Sequence, residues 1–270
     1  MTAITIPASL LPADGRFGSG PSKVRSEHVQ RLLETGVTYL GTSHRQTPVK
    51  AVVGRVREGL RSLFSLPDGH EVLLGNGGTT AFWDAAVLGL IETQSQHLCF
   101  GEFSSKFAAG VRAAPHLKDP EVIESPAGTR PHAVASPDVD FYALTHNETS
   151  TGVAMEVCRP AGPARSAGPA GAAGPPGAAG GLVAVDATSA AGGLWVDPEQ
   201  FDVYYFAPQK CFGSDGGLWA ACCSPAAVER IERIAASGRW VPPSLDLKIA
   251  LDNSRLDKTY NTPSLATLYL

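Results

Sequence analysis

The sequence lacks the features that mark several classes of protein. Its 270 residues contain no run of Lys or Arg and carry a formal net charge of −4, which offers no footprint for a nucleic acid or an anionic membrane. No apolar segment approaches the length needed to span a bilayer, and the first residues lack the charged start and long apolar centre of a signal peptide. We therefore expect a cytoplasmic protein with no nucleic-acid partner and no membrane partner.

Paired cysteines and metal-binding motifs are also missing. The five cysteines are an odd number without a Cys-x-x-Cys spacing. Cys222 and Cys223 are adjacent inside an apolar run, as expected of reduced thiols packed in a core. We expect no metal site, in a globular protein whose content is 43% hydrophobic and 18% charged.

Short apolar runs alternate along the chain with segments of helical period. The runs predict strands at Glu71–Leu74, His97–Phe100, Phe141–Leu144, Leu182–Val185, Tyr204–Ala207 and Leu218–Cys223. Helices are predicted over 52–64, over 81–91 and from Pro225, with Ser224 as the cap. This alternation predicts an α/β fold with a mainly parallel sheet, helices on both faces and ligands beyond the carboxyl ends of the strands.

Residues 161–181 interrupt this pattern with Gly, Ala and Pro. Between Gly168 and Gly180 the glycines fall at every third position and formally match collagen. The repeat is too short for a stable triple helix and predicted strands flank it. We interpret the segment as a low-complexity insertion between two strands.

Lys210 stands between the apolar run Tyr204–Ala207 and a turn rich in glycine. A half-buried lysine at the end of a strand can act as a nucleophile, because its neutral amine condenses with an aldehyde. This position suggests a lysine that carries pyridoxal 5'-phosphate (PLP). An enzyme of that kind also needs an acid at the pyridine nitrogen, a cradle for the phosphate and a group packed on the ring.

Two further strand ends offer the acid and the cradle. Asp186 closes the run 182–186 and, one strand–loop–strand step before Lys210, can reach the same edge of the sheet; it can also simply cap the turn at Thr188. The segment 75–81, Gly-Asn-Gly-Gly-Thr-Thr-Ala, precedes an apolar helix. Exposed N–H groups at such a helix start bind anions, although a plain glycine turn explains the same residues.

Other polar loops hold weaker candidates. His44 and Arg45 precede the long helix, and an arginine fork suits a carboxylate or a phosphate; a solvated loop pair is the alternative. Phe103 can cover a ring face or belong to the core. Asn147 and Thr149 follow a strand and can either bond a ligand or form a turn.

The order of these motifs closely resembles phosphoserine aminotransferases, in the actinobacterial branch of that family of fold-type I PLP enzymes. The resemblance runs from residue 14 to residue 263, nearly the whole chain outside the Gly/Pro insertion. It includes Gly-Thr-Ser-His-Arg-Gln at 41–46, Gly-Asn-Gly-Gly at 75–78, His-Asn-Glu-Thr-Ser-Thr-Gly at 146–152 and Ala-Pro-Gln-Lys at 207–210. The fold implied is the large PLP-binding domain of such an enzyme.

The resemblance implies a role for each candidate. Lys210 would bond the cofactor covalently, Asp186 would pair with the pyridine nitrogen, Thr149 would hydrogen-bond near the ring and Phe103 would stack on it. The residues implied at the cofactor phosphate are Gly78, Thr79 and Gln209, joined by Asn261 and Thr262 from the other subunit of a homodimer. His44 and Arg45 would recognise the phosphate of the substrate.

The implied reaction is reversible amino transfer between glutamate and 3-phosphohydroxypyruvate, which gives 2-oxoglutarate and O-phospho-L-serine in L-serine biosynthesis. Lys210 would move the proton between the substrate α-carbon and C4′ of the cofactor. Another fold-type I aminotransferase, acting on alanine or glyoxylate, stays open, although such a substrate gains little from His44 and Arg45. A fragment that binds PLP without turnover stays open too, as does the pyridoxine-pathway substrate that some relatives use.

The resemblance also implies a division of the chain. We expect an N-terminal arm over 1–15, a PLP-binding large domain over 16–263 and the start of a linker helix over 264–270, with Ser264 or Thr262 near its cap. The family's C-terminal small domain supplies an arginine for the substrate α-carboxylate and is absent from this sequence, so we expect impaired transamination.

Overall fold

The structure is a computed structural model that describes residues 5–11, 18–161 and 180–270. The insertion expected over 161–181 therefore lies outside the described residues except at its two ends. Part of the N-terminal arm expected over 1–15 lies outside them as well.

The described residues form helices and strands in alternation. The helices are α1 Ser26–Glu34, α2 Thr47–Leu63, α3 Thr79–Gly89, α4 Glu102–Arg112, α5 Pro225–Ala236, α6 Leu247–Arg255 and α7 Leu265–Tyr269. The strands are β1 Glu71–Asn76, β2 Ser95–Cys99, β3 Glu121–Glu124, β4 Phe141–Thr145, β5 Asn147–Glu148, β6 Val153–Ala154, β7 Leu182–Asp186, β8 Val203–Phe206 and β9 Leu218–Cys223. Each apolar run that the sequence marks as a strand is one, with ends shifted by at most two residues.

A seven-stranded sheet in the order β1-β9-β8-β7-β4-β2-β3 forms the centre of the fold. The strands from β8 to β3 run parallel to their neighbours, whereas β9 is antiparallel to both β8 and β1. Because β9 is reversed between them, β1 points the same way as β8. The predicted mainly parallel α/β sheet is confirmed, with β9 as its reversed strand.

Both faces of the sheet are covered, which is why its central strands are apolar throughout. Alternate residues of β8 point to opposite faces: Tyr204 and Phe206 belong to one buried cluster and Tyr205 to the other. Residues of α2 and α7 complete the first cluster, and residues of α3, α4, α5 and α6 complete the second.

The short helix α7 begins as the sequence predicts. Ser264 is its cap, and the Ser264 hydroxyl accepts a hydrogen bond from the Thr267 N–H. The Tyr39 hydroxyl donates to the carbonyl of Leu265 at 3.0 Å and fixes α7 beside the rest of the core. No helix in the described ranges is both long enough and apolar enough to cross a bilayer.

This topology decides where loops meet. The strands β1, β2, β4, β7 and β8 all end at the same edge of the sheet. The segments that follow β1, β2, β4 and β8 carry Gly78, Phe103, Thr149 and Lys210 respectively, and Asp186 is the last residue of β7. Parallel architecture thus collects, at one edge, candidates that lie more than a hundred residues apart in the chain.

Candidate active site

Asp186 and Lys210 follow neighbouring strands of the sheet. Asp186 is the last residue of β7 and pairs in register with Tyr205 of β8, and Lys210 lies four residues after Phe206, where β8 ends. Lys210 is half-buried and Asp186 is buried. The prediction that both reach one edge of the sheet agrees with this topology.

Asp186 is held by neutral donors. Its Oδ1 accepts from the Thr188 N–H at 2.9 Å and the Thr188 hydroxyl at 2.6 Å, and its Oδ2 accepts from the Trp83 indole N–H at 3.0 Å. Burial raises the pKa of this carboxyl, while the bonds from Thr188 and Trp83 oppose the rise. A cation placed against the carboxylate would relieve that burial cost. The turn-capping alternative is also realised, because Asp186 does cap the turn at Thr188.

The glycine turn after β1 leads directly into α3 and faces open space. Gly78 is the cap of α3, with no side chain bonded to the helix N–H groups there, and a Cβ added to Gly78 would meet no atom within 4 Å. Thr79 is buried, and its hydroxyl lies 2.9 Å from that of Thr188. An uncapped helix start of this kind suits an anion, and the Thr79–Thr188 contact places it beside the Asp186 loop.

Gln209 presents a polar atom without a partner next to Lys210. Its carbonyl accepts from the Ser22 N–H at 2.7 Å, whereas its side-chain oxygen is buried and has no hydrogen-bond partner among the described residues. Rotation of the Gln209 side-chain amide, which exchanges its oxygen and nitrogen, places an N–H group where the oxygen lies. An orphaned buried amide at this edge fits the predicted contact with a ligand phosphate.

The segment 18–22 covers Lys210. The Lys210 Nζ donates to the carbonyl of Ser19 at 2.7 Å, and the Ser22 hydroxyl contacts the Lys210 carbonyl. Gly20 has a φ of +128°, and a Cβ added there would lie 2.6 Å from Nζ. The backbone angle favours glycine here, and the flexible end of the Lys210 side chain occupies the space that a Cβ would take.

Phe103 lies in the first turn of α4, after β2. Its side chain is 38% exposed, so the core alternative is wrong, and the Lys106 ammonium lies 5.8 Å from its ring centroid. An exposed ring at this edge of the sheet is available to a flat ligand.

Thr149 and Asn147 converge on a residue that the sequence did not identify. The Thr149 hydroxyl and the Asn147 amide each lie 2.8 Å from the Ser189 hydroxyl, three residues after Asp186. The bond of Trp83 to Asp186 and the bonds of Ser189 to Asn147 and Thr149 are the contacts that sequence reasoning missed. The bond of Thr188 to Asp186 was anticipated as a turn cap, because Asp followed two residues later by Thr favours a side-chain turn.

His44 contacts Thr262 in the same chain. The His44 Nδ1 lies 3.1 Å from the Thr262 hydroxyl, and the Thr262 carbonyl accepts from the Asn76 amide at 3.1 Å. Burial, with Arg45 and Lys258 nearby, lowers the pKa of His44. Arg45, Asn261 and Thr262 are exposed. Among the described residues, Arg45 bonds the Ser43 hydroxyl and Asn261 bonds the Thr259 hydroxyl, and no recorded hydrogen bond joins His44, Arg45, Asn261 or Thr262 to Lys210.

The residues present fit a cofactor with an aldehyde, a ring and a phosphate. The open start of α3 and the orphaned Gln209 amide suit a phosphate, and buried Asp186 suits a ring nitrogen that carries a proton. Lys210 supplies the amine for the aldehyde.

The chain is similar over nearly all its length to curated phosphoserine aminotransferases. It is 59% identical over 268 residues to the phosphoserine aminotransferase of a Nocardioides species, covering 99% of this chain and 68% of the relative. It is 58% identical over 265 residues to that of Rhodococcus jostii, covering 98% of this chain and 67% of the relative. The chain thus spans about two thirds of the length of these relatives. No family model matches the chain.

Solved structures show the same fold. A phosphoserine aminotransferase from Cytophaga hutchinsonii superposes with a TM-score of 0.81 at 23% identity, covering 94% of this chain and 67% of that one. An aspartate aminotransferase of subgroup IV from Thermus thermophilus has a TM-score of 0.71 at 22% identity, covering 93% and 67%. The fold is that of fold-type I aminotransferases, and by its similarity to the curated relatives the chain belongs to the phosphoserine aminotransferase family.

Proposed function

We propose that this protein is a PLP-dependent aminotransferase that moves an amino group reversibly between glutamate and 3-phosphohydroxypyruvate, giving 2-oxoglutarate and O-phospho-L-serine in L-serine biosynthesis. One observation carries the proposal: the chain of hydrogen bonds from Thr79 through Thr188 to Asp186, on the loop beside Lys210. It joins the uncapped start of α3 to a buried acid, and Lys210 follows the strand that neighbours that acid. Residues 16–263 are the part of the chain that we assign to PLP binding.

PLP supplies an electrophilic carbon and a ring that withdraws electrons from the substrate α-carbon. In this site, Lys210 Nζ would hold the cofactor through its aldehyde and would carry the proton that leaves the substrate α-carbon. The Asp186 carboxylate would hold negative charge at the pyridine nitrogen. Phe103 would pack on the ring, and Thr149 would donate a hydrogen bond at the ring.

The phosphate of the cofactor would lie at the start of α3. The N–H groups of Gly78 and Thr79, the Thr79 hydroxyl and the Gln209 amide are the donors that we assign to it. Where some members of the family carry an arginine, Thr79 contributes an N–H and a hydroxyl but no charge.

His44 and Arg45 are the residues that we assign to the substrate phosphate. The exposed guanidinium of Arg45 offers a planar pair of donors, and His44 is held beside it by Thr262. A substrate without phosphate, such as alanine or glyoxylate, has no group for this pair.

We propose that the protein acts as a homodimer, in which Asn261 and Thr262 of one copy reach the cofactor phosphate bound by the second copy. Because the Thr262 hydroxyl contacts His44 within one chain, His44 and Arg45 then belong to that second copy's site too. Each active site would draw Lys210 and Asp186 from one protomer and the phosphate-binding pairs from its partner.

Substrate choice is the experiment that tests this function. The purified chain with PLP is mixed with phosphoserine and 2-oxoglutarate, and the rate of glutamate formation is compared with that from serine and 2-oxoglutarate and with the rate of glycine formation from alanine and glyoxylate. We expect phosphoserine to be preferred by at least about tenfold, because the binding free energy of one hydrogen bond to a charged group corresponds to at least that ratio. Equal use of serine, or preference for alanine with glyoxylate, would assign the protein to another fold-type I aminotransferase.

A further inference from the structure

Glu148 is a buried carboxylate that none of the steps above uses. It belongs to the short strand β5, between Asn147 and Thr149, and its relative exposure is 0%. No Lys, Arg or His forms an ion pair with it within the part of the chain that the structure describes. An ionised carboxylate without a cation must be stabilised by hydrogen bonds.

Those hydrogen bonds come from both sides of Glu148. The Ser104 N–H and hydroxyl lie 2.9 Å from Oε2, and the Ser150 N–H and hydroxyl lie 3.1 and 2.7 Å from Oε1. The Phe103 N–H is 3.5 Å from Oε1. Burial raises the pKa of the Glu148 carboxyl, but the bonds from Ser104 and Ser150 outweigh it and hold the pKa below its ordinary value.

The backbone before α4 rests directly on this side chain. A Cβ added to Gly101 would overlap the Glu148 side chain, and the Glu102 N–H donates to the Ser150 hydroxyl at 2.8 Å. Glu148 therefore serves as the cap that α4 lacks in its own sequence, since no side chain of Gly101 exists to do so. The first turn of α4, which carries Phe103, is fixed to the loop after β4.

The neighbours of Glu148 extend the connection to a third loop. Asn147 and Thr149 both bond the Ser189 hydroxyl at 2.8 Å, and Ser189 belongs to the loop of Asp186. One buried carboxylate thus joins the loop of Phe103 to the loop of Thr149, which in turn is bonded to the loop of Asp186.

We propose that Glu148 is a positioning residue that holds Phe103 and Thr149 where both reach the cofactor ring. It acts through the backbone of α4 and through Ser150, and it touches neither substrate nor cofactor. The inference rests on the proposed function, because the roles of Phe103 and Thr149 are part of it. A glutamine in place of Glu148 would turn an N–H group toward the N–H groups that the carboxylate now accepts from. The first turn of α4, which carries Phe103, would then lose its attachment.

The test compares Glu148→Gln with Asp140→Asn. Asp140 lies at the other end of β4, and its carboxylate accepts from the N–H groups of Glu92, Thr93 and Gln94 at 2.7–2.9 Å. It also pairs with the Arg230 guanidinium at 3.1 Å, so it is a loop-capping carboxylate away from the site that, unlike Glu148, has a cation. For each variant, PLP affinity, the visible circular dichroism of bound PLP and amide hydrogen exchange at 101–105 without cofactor are measured.

For E148Q we expect at least tenfold weaker PLP binding, a reduced visible circular dichroism and faster exchange at 101–105. D140N should keep the wild-type affinity, circular dichroism and exchange in that segment. Should E148Q fail to fold, Ser104→Ala and Ser150→Ala each remove one donor and should shift the same three readouts in the same direction by about threefold.

Any one of three results would overturn the proposal: wild-type values in E148Q, wild-type values in both serine variants, or losses in D140N equal to those in E148Q. Hydrogen exchange separates this failure from failure of the proposed function. If wild-type protein does not bind PLP at all, the function is wrong, and exchange at 101–105 in E148Q still decides whether Glu148 positions the turn.

Discussion

The hydroxyl groups of Thr79 and Thr188 lie 2.9 Å apart, and the Thr188 hydroxyl donates to Asp186 Oδ1 at 2.6 Å. The Thr188 hydroxyl is thus within hydrogen-bond distance of both the Thr79 hydroxyl and the Asp186 carboxylate. The proposed phosphate site at the start of α3 and the Asp186 carboxylate are therefore coupled through the side chains of Thr79 and Thr188. We expect a substitution in one of these groups to alter ligand binding at the other.

Replacing Thr188 by Val tests this coupling. Valine keeps the shape but leaves Thr79 and Asp186 without their shared partner, so we expect PLP affinity to fall about tenfold, equivalent to about 1.4 kcal/mol. Thr188→Ser keeps the hydroxyl and should bind PLP as the wild type does. Titration of PLP absorbance measures both; an unchanged affinity in T188V would show that the coupling is not used.

Trp83→Phe removes the single donor to Asp186 Oδ2 and keeps an aromatic ring in the core. We expect the free energy of unfolding to fall by about 1–3 kcal/mol, because a buried acceptor loses its bond. Chemical denaturation of the cofactor-free protein measures this. Trp195, which is 84% exposed, provides the control: Trp195→Phe should leave the stability unchanged. Equal stability of W83F and W195F would contradict the role of the indole N–H.

The raised pKa of Asp186 predicts a pH dependence of stability without cofactor. A native pKa above the ordinary value of 3.8 means that the folded protein holds the Asp186 proton more tightly than the unfolded chain. The stabilisation is fully present below that ordinary value and is lost as pH rises through the native pKa. Asp186→Asn cannot titrate. The difference in unfolding free energy between wild type and D186N should therefore move against the wild type as pH rises, and a constant difference would contradict the raised pKa.

Strand positions were predictable from the sequence because buried parallel strands are continuous apolar runs. The half-buried edge strand Glu121–Glu124 was not predicted, since its composition, Glu-Val-Ile-Glu, gives no such run. Helix α4 was missed for a physical reason: its N–H groups are capped by Glu148, which is 46 residues away from Glu102 in sequence. Helix α6 had a readable signal, because the Asp246 carboxylate accepts from the N–H groups of Lys248 and Ile249.

Some residues of the candidate site could likewise be placed from the sequence, and others could not. The positions of Lys210, Asp186, Gly78 and Thr149 at one edge of the sheet were predictable, because each lies at the end of a strand or after it. Trp83 was not, because it approaches Asp186 from within α3, 103 positions earlier in the chain. The contact of His44 with Thr262 was equally hidden, since it is made by loops 218 positions apart.

Mixing two inactive variants tests the shared site. In a dimer of Arg45→Ala and Lys210→Ala chains, one site regains both residues if Arg45 acts on the partner's Lys210. Random mixing should then restore about a quarter of the wild-type activity, because half of the dimers are mixed and one of their two sites is complete. No recovery would place Arg45 and Lys210 in one protomer. Each variant alone is the control.

Gly20→Ala tests the cover over Lys210. The added Cβ would lie 2.6 Å from Nζ, and the φ of +128° disfavours a side chain. We expect the segment 18–22 to be displaced and the fraction of Lys210 bonded to PLP to fall at least tenfold at a fixed PLP concentration. Gly216→Ala is the matched control, because its Cβ would meet nothing within 4 Å. Equal labelling of the two variants would show that the segment is not needed.

The most direct measurement of the central assignment is reduction with borohydride. The purified chain is incubated with PLP, reduced and digested, and the modified peptide is found by mass spectrometry. We predict one cofactor per chain, on Lys210, and its absence from Lys210→Ala. Labelling at another lysine, or none in the folded wild-type protein, would contradict the account.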